Sequence, residues 1–320
     1  MSEFRALSLS ECVDELLKLE HPVVAMHVRP DGDTVGSGTA LCEIFRALGK
    51  EATYICADPI PERLAFLTEG LRLAESIEGA EVVSIDVASP AQLGALYGKA
   101  DVRLMIDHHA VSTPFAPHYT IGDLSSAGEV LFGIAVELER RGLLSIDRPI
   151  AERIYAAISS DTGGFIYSSV TPETLMAAAR LISIGIDHAI INHKLFMTKP
   201  RAQLRAEGMV ASALRADESG RICYATVSRS DREEAGIGLE HFECGIDVVR
   251  SAAGTEIAFI VKENDAGDYR VSLRSVGADV ARIAALHGGG GHIRAAGCTV
   301  NATSIEEAAR IILEECKGAL

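Results

Sequence analysis

Val23 to Met26 read as a short buried strand, and Leu41, Ile44, Phe45 and Leu48 recur at helical spacing. Between them lies His27-Val28-Arg29-Pro30-Asp31-Gly32-Asp33, with Gly36 and Ser37 just beyond. One tight strand-to-helix loop therefore carries an imidazole and two carboxylates. Carboxylates this close repel each other, and a fold accepts that cost when a cation sits between them. The glycines let the backbone turn tightly and approach a ligand. Taken alone, Asp-Gly-Asp is also ordinary turn chemistry capping a helix. On this loop by itself the two readings weigh about equally, and the rest of the chain decides.

The same rhythm repeats downstream. Ala52 to Cys56 reads as a second strand, Val82 to Ile85 as a third ending in Asp86, and Val102 to Ile106 as a fourth ending in Asp107-His108-His109. Helices are expected from Ser8-Leu9-Ser10-Glu11, a capping-box pattern, through about Leu19; up to Leu48, stopped by Gly49; from Pro90; and from Ser126 to Arg141. A further helix follows Asp147 and Pro149, delivers Asp161-Thr162-Gly163-Gly164, and precedes one that opens at Thr171-Pro172-Glu173. Such βαβ alternation predicts an α/β fold with a mostly parallel sheet flanked by helices. Ligands bind at the carboxyl ends of the strands in such sheets, which is where His27, Asp31, Asp33, Asp86 and Asp107-His108-His109 fall.

With 320 residues, nearly half of them apolar, the chain has material for two cores. We place a catalytic domain at 1–186, a helical connector at 187–208, and a smaller α/β domain with a mixed sheet at 209–320. Strands are expected at 222–227, 256–261 and 269–273, with the turn Asn264-Asp265-Ala266-Gly267-Asp268 between the last two. A helix from Asp279 should stop at Gly288-Gly289-Gly290-Gly291-His292, before a strand near Cys298 and a helix from Ser304.

The formal charge of −15 argues against a protein that grips duplex DNA through a basic face. A small phosphorylated substrate stays open, because bound cations invert the local field. No apolar run is long enough to span a bilayer, and Met1-Ser2-Glu3-Phe4-Arg5 lacks the regions of a signal peptide. Seven cysteines without a Cys-x-x-Cys spacing suggest reduced thiols, so a cytoplasmic location is expected.

The candidate ligands are His27, Asp31, Asp33, Asp86, His108 and Asp161. Each lone Asp or His is more often a cap, a turn or a surface group, but their joint placement on one rim is hard to explain that way. Oxygen-rich sites with one or two imidazoles suit manganese, magnesium or cobalt, and no thiolate joins them. Four aspartates and two histidines suffice for two divalent metal ions if one aspartate bridges. Paired metals activate a water between them and clamp phosphoryl oxygens, which implies hydrolysis without a covalent intermediate.

His-x-x-Pro-Asp-Gly-Asp, an aspartate ending a later strand, then Asp-His-His, then Asp-Thr-Gly-Gly-Phe together resemble the DHH phosphoesterase superfamily. Gly-Gly-Gly-Gly-His-x-x-Ala-Ala-Gly at 288–297 resembles the signature of its DHH-associated C-terminal domain. The two-domain length looks most like the nanoRNase and pAp-phosphatase (NrnA) type. The resemblance implies that His27, Asp31 and Asp86 hold one metal, most often manganese. It implies that Asp33, Asp86, His108 and Asp161 hold the other. His109 would face the scissile phosphate, with Asp107 orienting an imidazole. Arg274 and His292, with Ser272 and the loop of Gly289, Gly290 and Gly291, would bind the far phosphate or nucleotide. The substrate would be a short single-stranded oligonucleotide, a pApA-like dinucleotide or pAp, and a homodimer is compatible with the family.

From the residues alone the second set is weaker. The glycine run could form an anion nest or a flexible loop, and Arg274 and Ser272 could be solvent-facing strand residues. Arg29 could reach substrate or offset nearby carboxylates, and we favour the latter. His287 reads as structural, and His21, His118, His188, His193 and His241 as structural or surface. The rival enzymes are a RecJ-like single-strand exonuclease and a pyrophosphatase or polyphosphatase. A rival from another class is a non-catalytic nucleotide-binding module.

Overall fold

In the computed structural model, which describes residues 4–99 and 101–320, the capping box at Ser8 opens α1 (Leu9–Lys18). Glu11 N–H donates to Ser8 Oγ, and Ser8 N–H donates to the Glu11 carboxylate at 2.8 Å. The all-buried strand β1 (Pro22–Ala25) then leads through the His27–Asp31 strap into α2 (Gly32–Ala47). Asp31 caps α2, and Gly49 takes the left-handed conformation just beyond its end. The remaining strands of this unit are β2 (Thr53–Ile55), β3 (Glu81–Ile85), β4 (Val102–Asp107) and β5 (His118–Thr120). They form one sheet in the order β2-β1-β3-β4-β5, and every neighbouring pair is parallel. The chain leaves β1 for β2 on one side and returns to β3 on the other. The carboxyl ends of β1 and β3 are therefore the topological switch point, where an open α/β sheet leaves a crevice.

Three further helices, α3 (Ala127–Arg140), α4 (Arg148–Asp161) and α5 (Pro172–Ser183), join α1 and α2 over one face of this sheet. The core there is aliphatic: Val24, Val83, Ile85, Leu104 and Ile106 point at Leu41, Ile44, Phe45, Leu131 and Ile154. The other face is covered by the 3₁₀ segment Pro90–Leu96, with Leu93 and Leu96 packed on Val23, Ala25 and Val82. The density of the first core rests on small residues. A Cβ on Gly36 would lie 2.8 Å from the Arg153 carbonyl oxygen and 2.9 Å from the Ala157 nitrogen, so α2 and α4 meet backbone to backbone.

The stretch 187–208 is helical, yet it does not stand apart as a connector. The chain divides into two units after Thr198. In the first unit, α6 (His188–Asn192) and the π-helical turn His193–Met197 bury Ile191 and Leu195 in the core described above. In the second, α7 (Arg201–Ser212) buries Ala206 and Val210 in a separate cluster. Apolar side chains on both pieces bind each to its own unit, and composition alone concealed this.

The second unit continues with β6 (Arg215–Ala216), β7 (Ile222–Val227), α8 (Arg229–Ala235), α9 (Gly245–Arg250), β8 (Ile257–Glu263) and β9 (Tyr269–Ser275). It ends with α10 (Val280–Leu286), β10 (Gly290–His292), β11 (Ala295–Val300) and α11 (Ile305–Lys317). The sheet order is β10-β11-β9-β8-β7-β6; β7 and β8 are parallel and the other pairs antiparallel, so the sheet is mixed as expected. Side chains of α10 and α11 cover one face, and those of α7 and α9 cover some of the other.

Candidate metal centre

Six side chains from four separate segments of the first unit converge at the switch point. His27 follows β1, and its Nδ1 lies 2.8 Å from the Val28 carbonyl oxygen, which turns Nε2 inward. Nε2 stands 3.6 Å from Asp31 Oδ1 and 3.5 Å from Asp86 Oδ2. His108 follows β4, with Nδ1 3.3 Å from the Leu124 carbonyl oxygen. Its Nε2 stands 3.7 Å from Asp33 Oδ2, 3.5 Å from Asp86 Oδ1 and 3.7 Å from Asp161 Oδ2. The two imidazoles thus take opposite oxygens of one carboxylate. His27, Asp31 and Asp86 form one candidate cation group and Asp33, His108 and Asp161 another; in each, the donor atoms lie within 4.8 Å of one another. Asp86 with His108 and His109 forms a third.

These separations exceed an ordinary N–H···O bond, and they suit ligands arranged around shared ions. Three independent costs point the same way. Asp86 is only 3 % exposed, its Oδ1 has no hydrogen-bond partner, and its backbone sits at φ +59°. A non-glycine residue there gives up about 1–2 kcal/mol. Asp161 ends α4, where the helix dipole repels a carboxylate. Asp33 is buried beside Asp86 and Asp161. Its two oxygens accept the Ala127 and Gly128 N–H groups at 2.7 and 2.9 Å. An all-oxygen-and-imidazole donor set with an orphaned buried oxygen is fitted to hard divalent cations.

The electrostatics follow from that crowding. Burial and the neighbouring Asp86 and Asp161 charges push the Asp33 carboxyl well above the usual range. Burial likewise raises Asp161, to about 6, although His108 opposes it. Burial would raise Asp86 too, but His108 and His27 outweigh it and hold that carboxyl below normal. Burial disfavours a charged His27, yet Asp31 and Asp86 prevail and lift it to about 11; His108 is raised by Asp86 and Asp33 against the same penalty. Without metal, protons on the imidazoles supply the positive charge that the carboxylates require.

His109 stands at the rim. Its Nδ1 is 2.7 Å from Asp107 Oδ1, and it lies 3.8 Å from Asp86 Oδ1. Asp107, fully buried, belongs to none of the candidate cation groups and meets only the His109 ring of this cluster.

The turn reading of Asp31 also holds, since its Oδ1 accepts the Asp33 and Thr34 N–H groups at 3.0 Å each. Cap and candidate ligand are the same residue. Arg29 departs from the expectation: its guanidinium enters no ion pair among the described residues, while its N–H donates to Asp58 Oδ2 at 2.7 Å and its backbone lies at φ +53°. Asp58 was not singled out from the sequence, nor was Gln92, whose carbonyl accepts the Val28 N–H at 2.7 Å. Ser125, Glu129 and Thr174 were missed as well. The pattern Ser126-x-x-Glu129, a capping-box spacing, was the available signal.

In the second unit the glycine run is not a free loop. Gly290–His292 is an edge strand paired with β11. A Cβ on Gly289 would collide with the Gly297 carbonyl oxygen, and one on Gly291, at φ +145°, with that of Ala295. Close approach of two strands explains the glycines, and the ladder engages backbone groups that a nest would have needed. Across the sheet, Arg274 pairs with Ala295 and Ala295 with His292, while Ser272 pairs with Gly297 and Gly297 with Gly290. Arg274, His292, Ser272 and Gly290 thus share one face in two rows, while Gly291, opposite Ala296, falls on the other. They do not share one cavity. Arg274 lines a pocket of about 580 Å³ with Arg250 and Arg294, whereas Ser272 and Gly289 line one of about 450 Å³ with Lys262 and Arg270. His287 is held by Glu315 at 2.9 Å, the structural role expected of it.

The model of the DHH family N-terminal domain matches residues 22–158, and that of the DHHA1 domain matches 219–318. A Thermus thermophilus protein named bifunctional oligoribonuclease and PAP phosphatase NrnA is 31 % identical over 96 % of this chain and 93 % of its own length. A probable manganese-dependent inorganic pyrophosphatase of Deinococcus radiodurans is 26 % identical over 56 % of this chain and 58 % of its own. The crystal structure of an exopolyphosphatase-related protein from Bacteroides fragilis superposes with a TM-score of 0.86. It is 24 % identical and covers 97 % of this chain and 96 % of that one, a likeness of fold.

Proposed function

The chain belongs to the DHH family and carries its DHHA1 domain, and on that premise we propose how this metal-dependent phosphoesterase is built and what it cuts. It hydrolyses short oligonucleotides or linear dinucleotides to mononucleotides, and pAp to AMP, as the name of the Thermus relative suggests. The observation that carries the reading is Asp86, whose two oxygens face His27 and His108 separately. His27, Asp31 and Asp86 hold one cation; Asp33, Asp86, His108 and Asp161 hold the other. Manganese suits this donor set and is the metal named for the Deinococcus relative. Two cations held there supply the charge that activates a water and stabilises phosphoryl oxygens during displacement.

The chain's own residues do the rest. The Val28 and Leu124 carbonyls orient the two ligand imidazoles. Asp107 accepts the Nδ1–H of His109 and favours its imidazolium form, whose Nε2–H can donate to the phosphoryl group. In the second unit, Arg274 and His292, two strands apart on one face of the sheet, grip the phosphate or nucleotide at the other end of the substrate, with Ser272 and Gly290 in the next row of that face and Gly289 and Gly291 flanking Gly290 along the chain. No helix among the described residues is long and apolar enough to cross a membrane. We place the protein in the cytoplasm on the strength of its seven cysteines, which form no Cys-x-x-Cys spacing.

Product analysis by chromatography tests this. The purified protein with manganese is given pApA, pAp, a longer single strand and pyrophosphate in parallel. Rapid mononucleotide release from pApA with slower cutting of the long strand, and phosphate release from pAp, are expected. Cleavage of pyrophosphate alone would move the protein to the pyrophosphatase branch, and no turnover of any substrate would leave a nucleotide-binding module.

A further inference from the structure

The orientation of Asp33, a residue of α2, is set by where α3 begins. Its oxygens accept from the N–H groups of Ala127 and Gly128, the first two residues of that helix. The start of α3 is in turn fixed by a buried carboxylate that no role above uses. Glu129 Oε2 accepts Ser125 Oγ at 2.6 Å, Ser125 N–H at 3.1 Å and Thr174 Oγ1 at 3.0 Å. Thr174 lies in the first turn of α5, so the contact ties two helices to the segment that delivers the Asp33 donors. Glu129 is 6 % exposed, Ser125 and Thr174 are buried, and Glu129 forms no ion pair among the described residues.

Capping alone does not account for this carboxylate. Ser126 Oγ already accepts the Glu129 N–H at 3.0 Å, so the helix start has its side-chain cap without it. Burying a carboxyl group without an ion-pair partner is unfavourable unless its hydrogen bonds compensate. What they do is hold the two N–H groups where both Asp33 oxygens are gripped, leaving their remaining lone pairs directed by the protein. We infer that Glu129, with Thr174 and Ser125, is a positioning residue for the Asp33 cation site, pre-orienting that ligand before metal arrives. This rests on the metal-centre reading above.

Manganese binding to the metal-free full chain, followed by titration calorimetry and by loss of the free-ion magnetic resonance signal, is the test. Outer partners of metal ligands typically contribute 10–100-fold in affinity. Because Glu129 acts through a helix start, Glu129→Ala is expected to weaken one of two manganese sites about 10-fold and leave the other within about twofold. Thr174→Val, a smaller change, should weaken the same site less, and Thr174→Ser should restore it. Glu139→Ala is the control: it breaks the Glu139–Arg180 contact between the same two helices and should lower stability without touching metal affinity. Equal isotherms for wild type and a folded Glu129→Ala protein would overturn the inference. So would equal weakening by Glu139→Ala, which would reveal a general effect of helix packing. A wild-type chain that takes up no manganese would remove the metal reading itself and this inference with it.

Discussion

The fully buried carboxylate of Asp107 grips Nδ1 of His109 at 2.7 Å, while the His109 side chain remains 37 % exposed at the rim. That bond raises the His109 pKa against the opposing effect of partial burial. A raised pKa means the imidazolium survives to higher pH, so a donor role is kept below the folded pKa and lost above it. Asp107→Asn removes the cause and should shift the alkaline limb of the pH–rate profile toward acid. Turnover should fall about 10–100-fold, the usual cost of losing the partner that orients an imidazole, with little change in KM. An unmoved alkaline limb would count against His109 as the donor.

Asp86→Ala removes the carboxylate that faces both imidazoles. Turnover in manganese should drop to background, and the isotherm should lose at least one site. Activity near wild type would sink the two-cation assignment. Circular dichroism of the variant separates loss of ligand from loss of fold, because the alanine also sits in a backbone conformation at φ +59°.

Metal uptake should release protons. In the metal-free chain, His27 is raised to about 11 and His108 is raised as well, so both carry a proton at neutral pH. A ligating imidazole must be neutral. Binding therefore displaces about two protons from the imidazoles, and any held by the raised carboxyls of Asp33 and Asp161 in addition, so apparent affinity should climb with pH through the neutral range. The stability that the His27 imidazolium lends the metal-free fold is complete below its unfolded value near 6.5. It is lost as pH rises through about 11. Calorimetry in buffers of different ionisation enthalpy counts the protons; a count of zero would contradict the protonated, carboxylate-paired state of the empty site. Chelation should lower the thermal midpoint of the manganese-loaded protein, because the ion binds the folded chain alone.

Gly36→Val should destabilise by about 1–3 kcal/mol, the usual cost of overpacking. The atoms in the way are the Arg153 carbonyl oxygen and the Ala157 backbone nitrogen, which cannot swing aside as a flexible side chain would. α2 carries Asp33 and α4 carries Asp161, so the same wedge should push these ligands of one cation group apart and weaken metal binding too. Urea denaturation and a manganese isotherm read the two effects separately. A stable variant with intact binding would show that the helices have slack here.

The site-bearing ends of β1, β3 and β4 were readable because each is an aliphatic run that stops on an acid or an imidazole, and a parallel sheet brings such ends to one edge. The short strand His118–Thr120 escaped because three half-buried residues carry no periodicity. Arg229–Ala235 and Gly245–Arg250 are likewise too short to stand out as helices. Glu129 and Asp58 escaped for another reason. Asp58 acts on a backbone N–H group far along the chain, which leaves no mark in residue spacing; the spacing Ser126-x-x-Glu129 marks a helix start but does not show that the Glu129 carboxylate reaches Ser125 and Thr174. The glycine run misled in the opposite direction: four glycines suit a loop, yet the closeness of β10 to β11 requires some of them within a strand. Backbone proximity between strands is a tertiary fact, and only the fold supplies it.

Arg274 offers the sharpest separation of binding from chemistry. It sits on β9 in the second unit, two strands from His292, beside a pocket that Arg250 and Arg294 also line. None of these residues belongs to a candidate cation group. A charge-assisted hydrogen bond contributes about 1.5–3 kcal/mol, so Arg274→Ala should raise KM about 10–100-fold with kcat nearly unchanged. The loss should be largest for pAp, which presents a second phosphate to the arginine, and smaller for a dinucleotide without a terminal phosphate. Steady-state kinetics on both substrates checks this. An unchanged KM for pAp would reject the role of Arg274, and an equal loss on both substrates would assign the arginine to a group other than the terminal phosphate.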